Sequence, residues 1–179
     1  MITNLYKAGF RDIVCVVPPG ATLSATSKLS DRDLGKVPGR RNSQGSWGGY
    51  DWQNHEPSYN EVSAWENAGA NFGLRAAKYP AIDIDCLNAD TAELIEGVAL
   101  RVLGMAPIRI GKAPKRLLMY RTSEPFGRLR LWFKQDGINH LIEILGDGQQ
   151  FVIAGHGHHP GADVPAQSML GEMQLFEAH

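Results

Sequence analysis

Two aspartates in the run Ala81-Ile82-Asp83-Ile84-Asp85-Cys86 are the residues whose type and spacing best suit chemistry. Side chains of a β-strand alternate faces, so Ile82, Ile84 and Cys86 point one way and Asp83 and Asp85 the other. The β-branched isoleucines suit a strand with a core-facing side. Two carboxylates on one strand face repel each other unless positive charge lies between them. A hard divalent cation that takes oxygen ligands, Mg²⁺ or Mn²⁺, meets that need; a solvated outer face is the plain alternative. A third acid, Glu143, sits among aliphatics in Leu141-Ile142-Glu143-Ile144-Leu145. Burying it unpaired is costly, so it needs a partner. That partner is either a cation of the basic stretch described next or a metal shared with Asp83 and Asp85. Two-metal phosphoryl transfer draws carboxylates from neighbouring strands, because its ions stand about 4 Å apart.

Between the two acidic strands lies a concentration of positive charge. From Arg109 to Lys134 eight basic residues face one acid, Glu124, which gives +7 there and −8 elsewhere in a chain of net charge −1. Such a cluster attracts phosphates without making the whole protein basic, although a solvated charged face has the same composition. Lys115 and Arg121 flank the strand-like segment 116–120 and are candidate triphosphate or template contacts. His156, His158 and His159 admit a zinc reading, but no cysteine or acid stands at matching spacing in their Gly/Pro loop,. Trp47, Tyr50 and Trp52 are candidate base-stacking residues; aromatics beside glycines more often pin a loop to a core.

The elements that position these residues follow from pattern. The chain of 179 residues, 43% hydrophobic and 21% charged, suits a single domain with one good core,. No apolar run reaches the ~18 residues that span a bilayer, and the start lacks a signal-peptide pattern. Cys15 and Cys86 lie in apolar strand-like runs and read as buried thiols, so a cytoplasmic setting with no membrane partner is expected. A short helix over 4–8 precedes a strand over 12–17, and residues 20–57 form a long Gly/Ser/Asn/Pro-rich loop. Ser58-Tyr59-Asn60-Glu61 predicts a capping box and a helix to about Ala68. Asp90-Thr91-Ala92-Glu93 predicts a second one, with Ile95, Val98, Ala99, Val102 and Leu103 on the buried face and Gly104 as the stop. The segment Asn71-Phe72-Gly73-Leu74-Arg75 leads into the Asp-x-Asp strand, and further strands are expected at 116–121, 129–133, 141–145 and 150–154, the last two joined as a hairpin through Gly146-Asp147-Gly148,. The sum is an α+β fold: a mostly antiparallel sheet with flanking helices, with an N-terminal α/β part over about 1–75 and the acid-bearing sheet over about 76–165.

Six segments, in order, carry a resemblance. They are Gly35-Lys36-Val37-Pro38; Asn71-Phe72-Gly73-Leu74-Arg75; Ile82-Asp83-Ile84-Asp85; Arg109-Ile110-Gly111 with Ala113-Pro114-Lys115; Leu118-Met119-Tyr120-Arg121-Thr122; and the stretch from Ile142 to Val152 that leads into His159-Pro160. Together they resemble the bifunctional DNA primase/polymerase domain of the archaeo-eukaryotic primase superfamily, in the form found in phages, plasmids and other mobile elements. The resemblance implies a primase-polymerase catalytic core with an RRM-like module. It implies that Asp83, Asp85 and Glu143 hold two Mg²⁺ or Mn²⁺ ions, which activate a 3′-hydroxyl and stabilise the incoming triphosphate. It implies nucleoside triphosphates and a single-stranded DNA template as partners, with a helicase module or protein alongside. Lys36, Arg75 and Arg109 become expected DNA contacts, and Lys115, Arg121, Arg128 and His159 expected phosphate contacts. One departure stands out: the family's Ser-x-His motif is absent, and Arg130 in Gly127-Arg128-Leu129-Arg130-Leu131-Trp132-Phe133 stands where the histidine is expected. Arginine binds phosphate through its planar fork, so phosphate contact survives the change. A two-metal nuclease is a second reading, weakened because no lysine follows two residues after the acid. A non-catalytic nucleotide or single-stranded-DNA-binding domain is the third.

Overall fold

Residues 13–16 are too apolar to leave a face in water, and they form a strand, β1 (Ile13–Val16), of which every residue is buried,. The computed structural model describes residues 2–155. The three histidines His156, His158 and His159, and with them the zinc and phosphate expectations, lie outside the described residues. The described chain divides into two compact units, residues 2–75 with 150–155, and residues 76–149.

In the first unit α1 (Ile2–Lys7) precedes β1, and the long loop folds into a small hairpin, β2 (Arg40–Arg41) and β3 (Trp47–Gly48). Trp47 is buried and therefore pins that loop, as its glycine-rich surroundings suggest. The helix α2 (Tyr59–Asn67) begins with the expected capping box. Ser58 Oγ accepts the Glu61 N–H at 3.2 Å, and the Glu61 carboxylate accepts the Ser58 N–H at 2.9 Å. Its apolar residues Val62 and Trp65 are buried. β4 (Asn71–Arg75) pairs antiparallel with β1 on one side and with residues 150–154 on the other.

The second unit is a five-stranded antiparallel sheet with one long helix. Its elements are β5 (Ala81–Asp85), α3 (Ala89–Leu103), β6 (Ile108–Arg109), β7 (Arg116–Met119), β8 (Leu129–Gln135) and β9 (Ile138–Leu145). The spatial order is β6-β7-β5-β9-β8. Ile82, Ile84 and Cys86 pack with Ala92, Ala99, Ala106 and Leu118 into the core on the α3 side. The aspartates of β5 thus point away from that core, as strand alternation requires.

Three expectations are corrected. The strand of residues 150–154, β10 (Gln150–Ala154), pairs with β4 and not with β9. The hairpin partner of β9 is β8, closed by the two-residue turn Asp136-Gly137 with Gln135 opposite Ile138. Both turn residues have positive φ, 51° and 79°, which matches the type I′ turn favoured by right-handed strand twist,. The second correction is the start of α3: Asn88, not Asp90, is the cap, its side-chain oxygen accepting the Thr91 N–H at 2.9 Å. The third is part of the helix face: Ala99 is buried and Ile95 packs against the core as expected, and Ala92 joins them, but Val98, Val102 and Leu103 are exposed. His140 of β9 is also fully buried; its Nδ1 accepts the Leu87 N–H at 3.3 Å and its ring lies 5.1 Å from that of Phe133.

Candidate functional site

Register places the acids together. Asp83 of β5 lies directly opposite Glu143 of β9, and Glu143 lies directly opposite Arg130 of β8. On the other flank Asp83 is opposite Leu117 of β7, and Leu117 is opposite Arg109 of β6. Directly opposed residues share a sheet face, so one row runs Arg109, Leu117, Asp83, Glu143, Arg130 across five strands. Two residues along, Asp85 faces Leu141, and Leu141 faces Trp132, which puts all three on that same face. The face opposite α3 therefore carries three carboxylates and the cations around them.

The contacts within this face are specific. Arg130 Nε donates to Glu143 Oε1 at 2.8 Å, and Arg128 Nη1 stands 3.6 Å from the same oxygen. Lys115 Nζ is 2.5 Å from Asp85 Oδ1. Glu143 therefore has the basic-stretch partner that its burial among aliphatics requires. Asp83 differs from its neighbours, since it is half-buried and makes no hydrogen bond or ion pair among the described residues. Burial holds its carboxyl above the usual aspartate range; Arg109 opposes this, and the charges of Asp85 and Glu143 push it further up,. Arg109 has its own deficit. Burial pulls its pKa below the ordinary arginine value, Asp83 raises it again, and its Nε has no hydrogen-bond partner among the described residues.

The donor chemistry of this face fits a hard divalent cation, because it offers carboxylate oxygens and an uncompensated negative charge at Asp83. No group of three or more His, Cys, Asp or Glu side chains among the described residues is gathered tightly enough to hold an ion. The cause is visible: Asp85 reaches for Lys115 and Glu143 for Arg130. Binding a cation through all three acids requires both ion pairs to open. Both are part-exposed, so their cost of opening is modest,.

The structure thus brings Asp83, Asp85, Glu143, Arg109, Lys115, Arg128 and Arg130 to one sheet. Arg121 stands apart, beyond the end of β7, its guanidinium 5.5 Å from the centre of the Tyr79 ring. There it lines a cavity of about 420 Å³ with Ile82, Leu129 and Ile144, residues of the α3 side. Lys36 and Arg75 belong to the first unit. Lys36 is exposed, while Arg75 is held by Asp12 at 2.6 Å and by the Gln53 carbonyl at 2.8 Å. The residue without an assigned role in the sequence is Trp132, 63% exposed on the acid face. Its signal was the alternation Arg128, Arg130, Trp132, which puts an aromatic beside two arginines. No family profile matches the chain, and no curated protein matches it.

Proposed function

We propose that the acid face of the second unit is a metal-dependent nucleotidyl-transfer site that builds or extends a strand on a DNA template. The observation that carries this reading is Asp83: a half-buried carboxylate without a direct partner, opposite Glu143 and two residues from Asp85. Four cations surround these three acids, Arg109, Lys115, Arg128 and Arg130, so the face carries surplus positive charge to attract phosphates,. The resemblance to the primase/polymerase domain supplies the reaction class. In the order β6-β7-β5, α3 leads from β5 to the parallel β6 with β7 between them, a split β-α-β arrangement, which supports the RRM-like module,.

In this reading Asp83, Asp85 and Glu143 hold two Mg²⁺ or Mn²⁺ ions. When bound, such ions neutralise phosphate charge and make a 3′-hydroxyl easier to ionise. Arg130 and Arg128 leave Glu143 and grip the triphosphate through charge-assisted hydrogen bonds. Lys115 passes from Asp85 to a phosphate or the template. Trp132 offers a flat apolar surface on which a base stacks without sequence readout. The same ion pairs favour one rival reading, a non-catalytic nucleotide or single-stranded-DNA-binding domain in which Lys115 and Arg130 permanently occupy the acids.

A gel assay with a primed and an unprimed template, labelled nucleotides and Mn²⁺ separates these readings. Strand extension that Asp83→Asn abolishes upholds the proposal. Template degradation transfers the site to a nuclease, and neither product with intact nucleotide binding transfers it to a binding domain.

A further inference from the structure

The first unit holds a second basic feature, far in sequence from the acid face. Residues 24–29 and the β2–β3 hairpin enclose a cleft of about 560 Å³. Three cations line it, Lys28, Arg40 and Arg41, and no carboxylate is among its described lining residues. Lys28 makes no hydrogen bond or ion pair among the described residues, and Arg41 meets no acid there. Arg40 alone has an acidic neighbour, Glu61, at 3.7 Å across a part-exposed gap. Unopposed positive charge of this kind costs self-repulsion unless an anion offsets it.

The cleft is also built rather than accidental. Trp47 ties it to the chain before it: the Trp47 N–H donates to the Thr22 carbonyl at 2.8 Å, and the Trp47 carbonyl accepts the Ser24 N–H at 2.8 Å. Arg41 Nε donates to the Gly45 carbonyl at 3.1 Å, which anchors its guanidinium on the hairpin loop. The Arg40 guanidinium lies 4.2 Å over the Tyr50 ring,. A β-carbon on Gly39 would stand 2.9 Å from the Gly48 carbonyl oxygen, so the strands approach here as only glycine permits,. Hydroxyls of Ser24, Thr26 and Ser27 line the same wall, and Gly49 leaves open space where a side chain would stand.

Planar guanidiniums, an ammonium and hydroxyl donors with no competing acid are the chemistry that binds phosphate oxygens. We propose that this cleft is a metal-independent phosphate cradle, taking the phosphate groups of a nucleic-acid strand or of a free nucleotide. The proposal does not depend on the acid face, and a metal is not needed, since the cleft supplies cations and no carboxylates.

The test is binding of a 5′-labelled oligothymidylate to the full chain in EDTA, read by fluorescence anisotropy over a range of salt. The double substitution Lys28→Gln, Arg41→Gln removes two exposed cations, and a melting curve checks that it folds. It should raise Kd about tenfold and make the salt dependence shallower by roughly 1.4 in log–log slope, about 0.7 per lost phosphate contact. Displacement of the strand by thymidine triphosphate, weakened by the same double substitution, assigns the cradle to a nucleotide. Resistance to displacement assigns it to the strand. Native-like affinity and slope in the folded double variant, or no binding of either ligand by the native chain in EDTA, overturns the cradle. Loss of strand extension with binding intact bears on the acid face alone.

Discussion

Asp83 shows how one side chain reports on its surroundings. Its folded pKa lies above the unfolded value, so the folded state binds its proton more tightly. The resulting stability is fully present below the unfolded pKa and is lost as pH rises through the folded pKa. Asp83→Asn should therefore melt higher than the native chain at neutral pH, and the two should converge below the ordinary aspartate value of 3.8. Thermal melts at a series of pH values check this. A variant that melts lower at pH 7 would mean that the negative charge is compensated in the free protein. Arg130 makes a different statement. It is part-exposed and bonded to Glu143, so deleting it removes a surface ion pair worth little to stability,. Its value lies in phosphate contact, where a charge-assisted bond contributes ~1.5–3 kcal/mol. Arg130→Ala should weaken nucleotide binding about tenfold to a hundredfold, measured by titration with a nucleoside triphosphate in Mn²⁺, while the melting temperature stays nearly unchanged.

At the scale of elements, the β8–β9 hairpin sets the site, because its register decides that Arg130 meets Glu143. Gly137 sits at φ 79°, a conformation that costs a residue with a β-carbon ~1–2 kcal/mol,. Gly137→Ala should lower the melting temperature by about 2–8 °C, a loss that calorimetry resolves. Nucleotide affinity should fall with it if the turn holds the register. The turn was legible in principle, since Asp-Gly between two strands is a strong hairpin signal. The segment Gly146-Asp147-Gly148 offered a rival signal, and local turn chemistry cannot say which strand returns to which sheet. The acid-bearing strand was legible because alternation is a local property: Ile82 and Ile84 face the core, and Asp83 and Asp85 face away. The face of α3 was legible only in part: Ile95 and Ala99 pack on the core as their spacing suggests, while apolar character alone wrongly favoured Val98, Val102 and Leu103 over Ala92. Nothing in β6 announced a strand, since two residues, Ile108 and Arg109, carry no period. It was still Arg109 that completed the row.

For the whole molecule, the governing quantity is how charge is shared out. No helix among the described residues is long and apolar enough to cross a membrane. A net charge of −1 conceals a +7 stretch that lies beside the acids in space as well as in sequence. Each unit displays its own cationic feature, the acid face in residues 76–149 and the cleft around Lys28 and Arg41 in the other. Only the first has carboxylates to hold a cation, so a divalent ion should stabilise the protein through that face alone. At a concentration of Mn²⁺ a hundredfold above Kd, linkage adds about 2.7 kcal/mol to the folded state. For a chain of this size that corresponds to a rise of about 5–11 °C in melting temperature. The rise should vanish in Asp83→Asn and shrink in Asp85→Asn, which keeps Asp83 and Glu143. It should survive Lys28→Gln, Arg41→Gln. Lys115→Ala should enlarge it, because removing the ammonium frees Asp85 for the metal. Equal shifts in the native chain and in Asp83→Asn would place the cation elsewhere and remove the metal from the acid face.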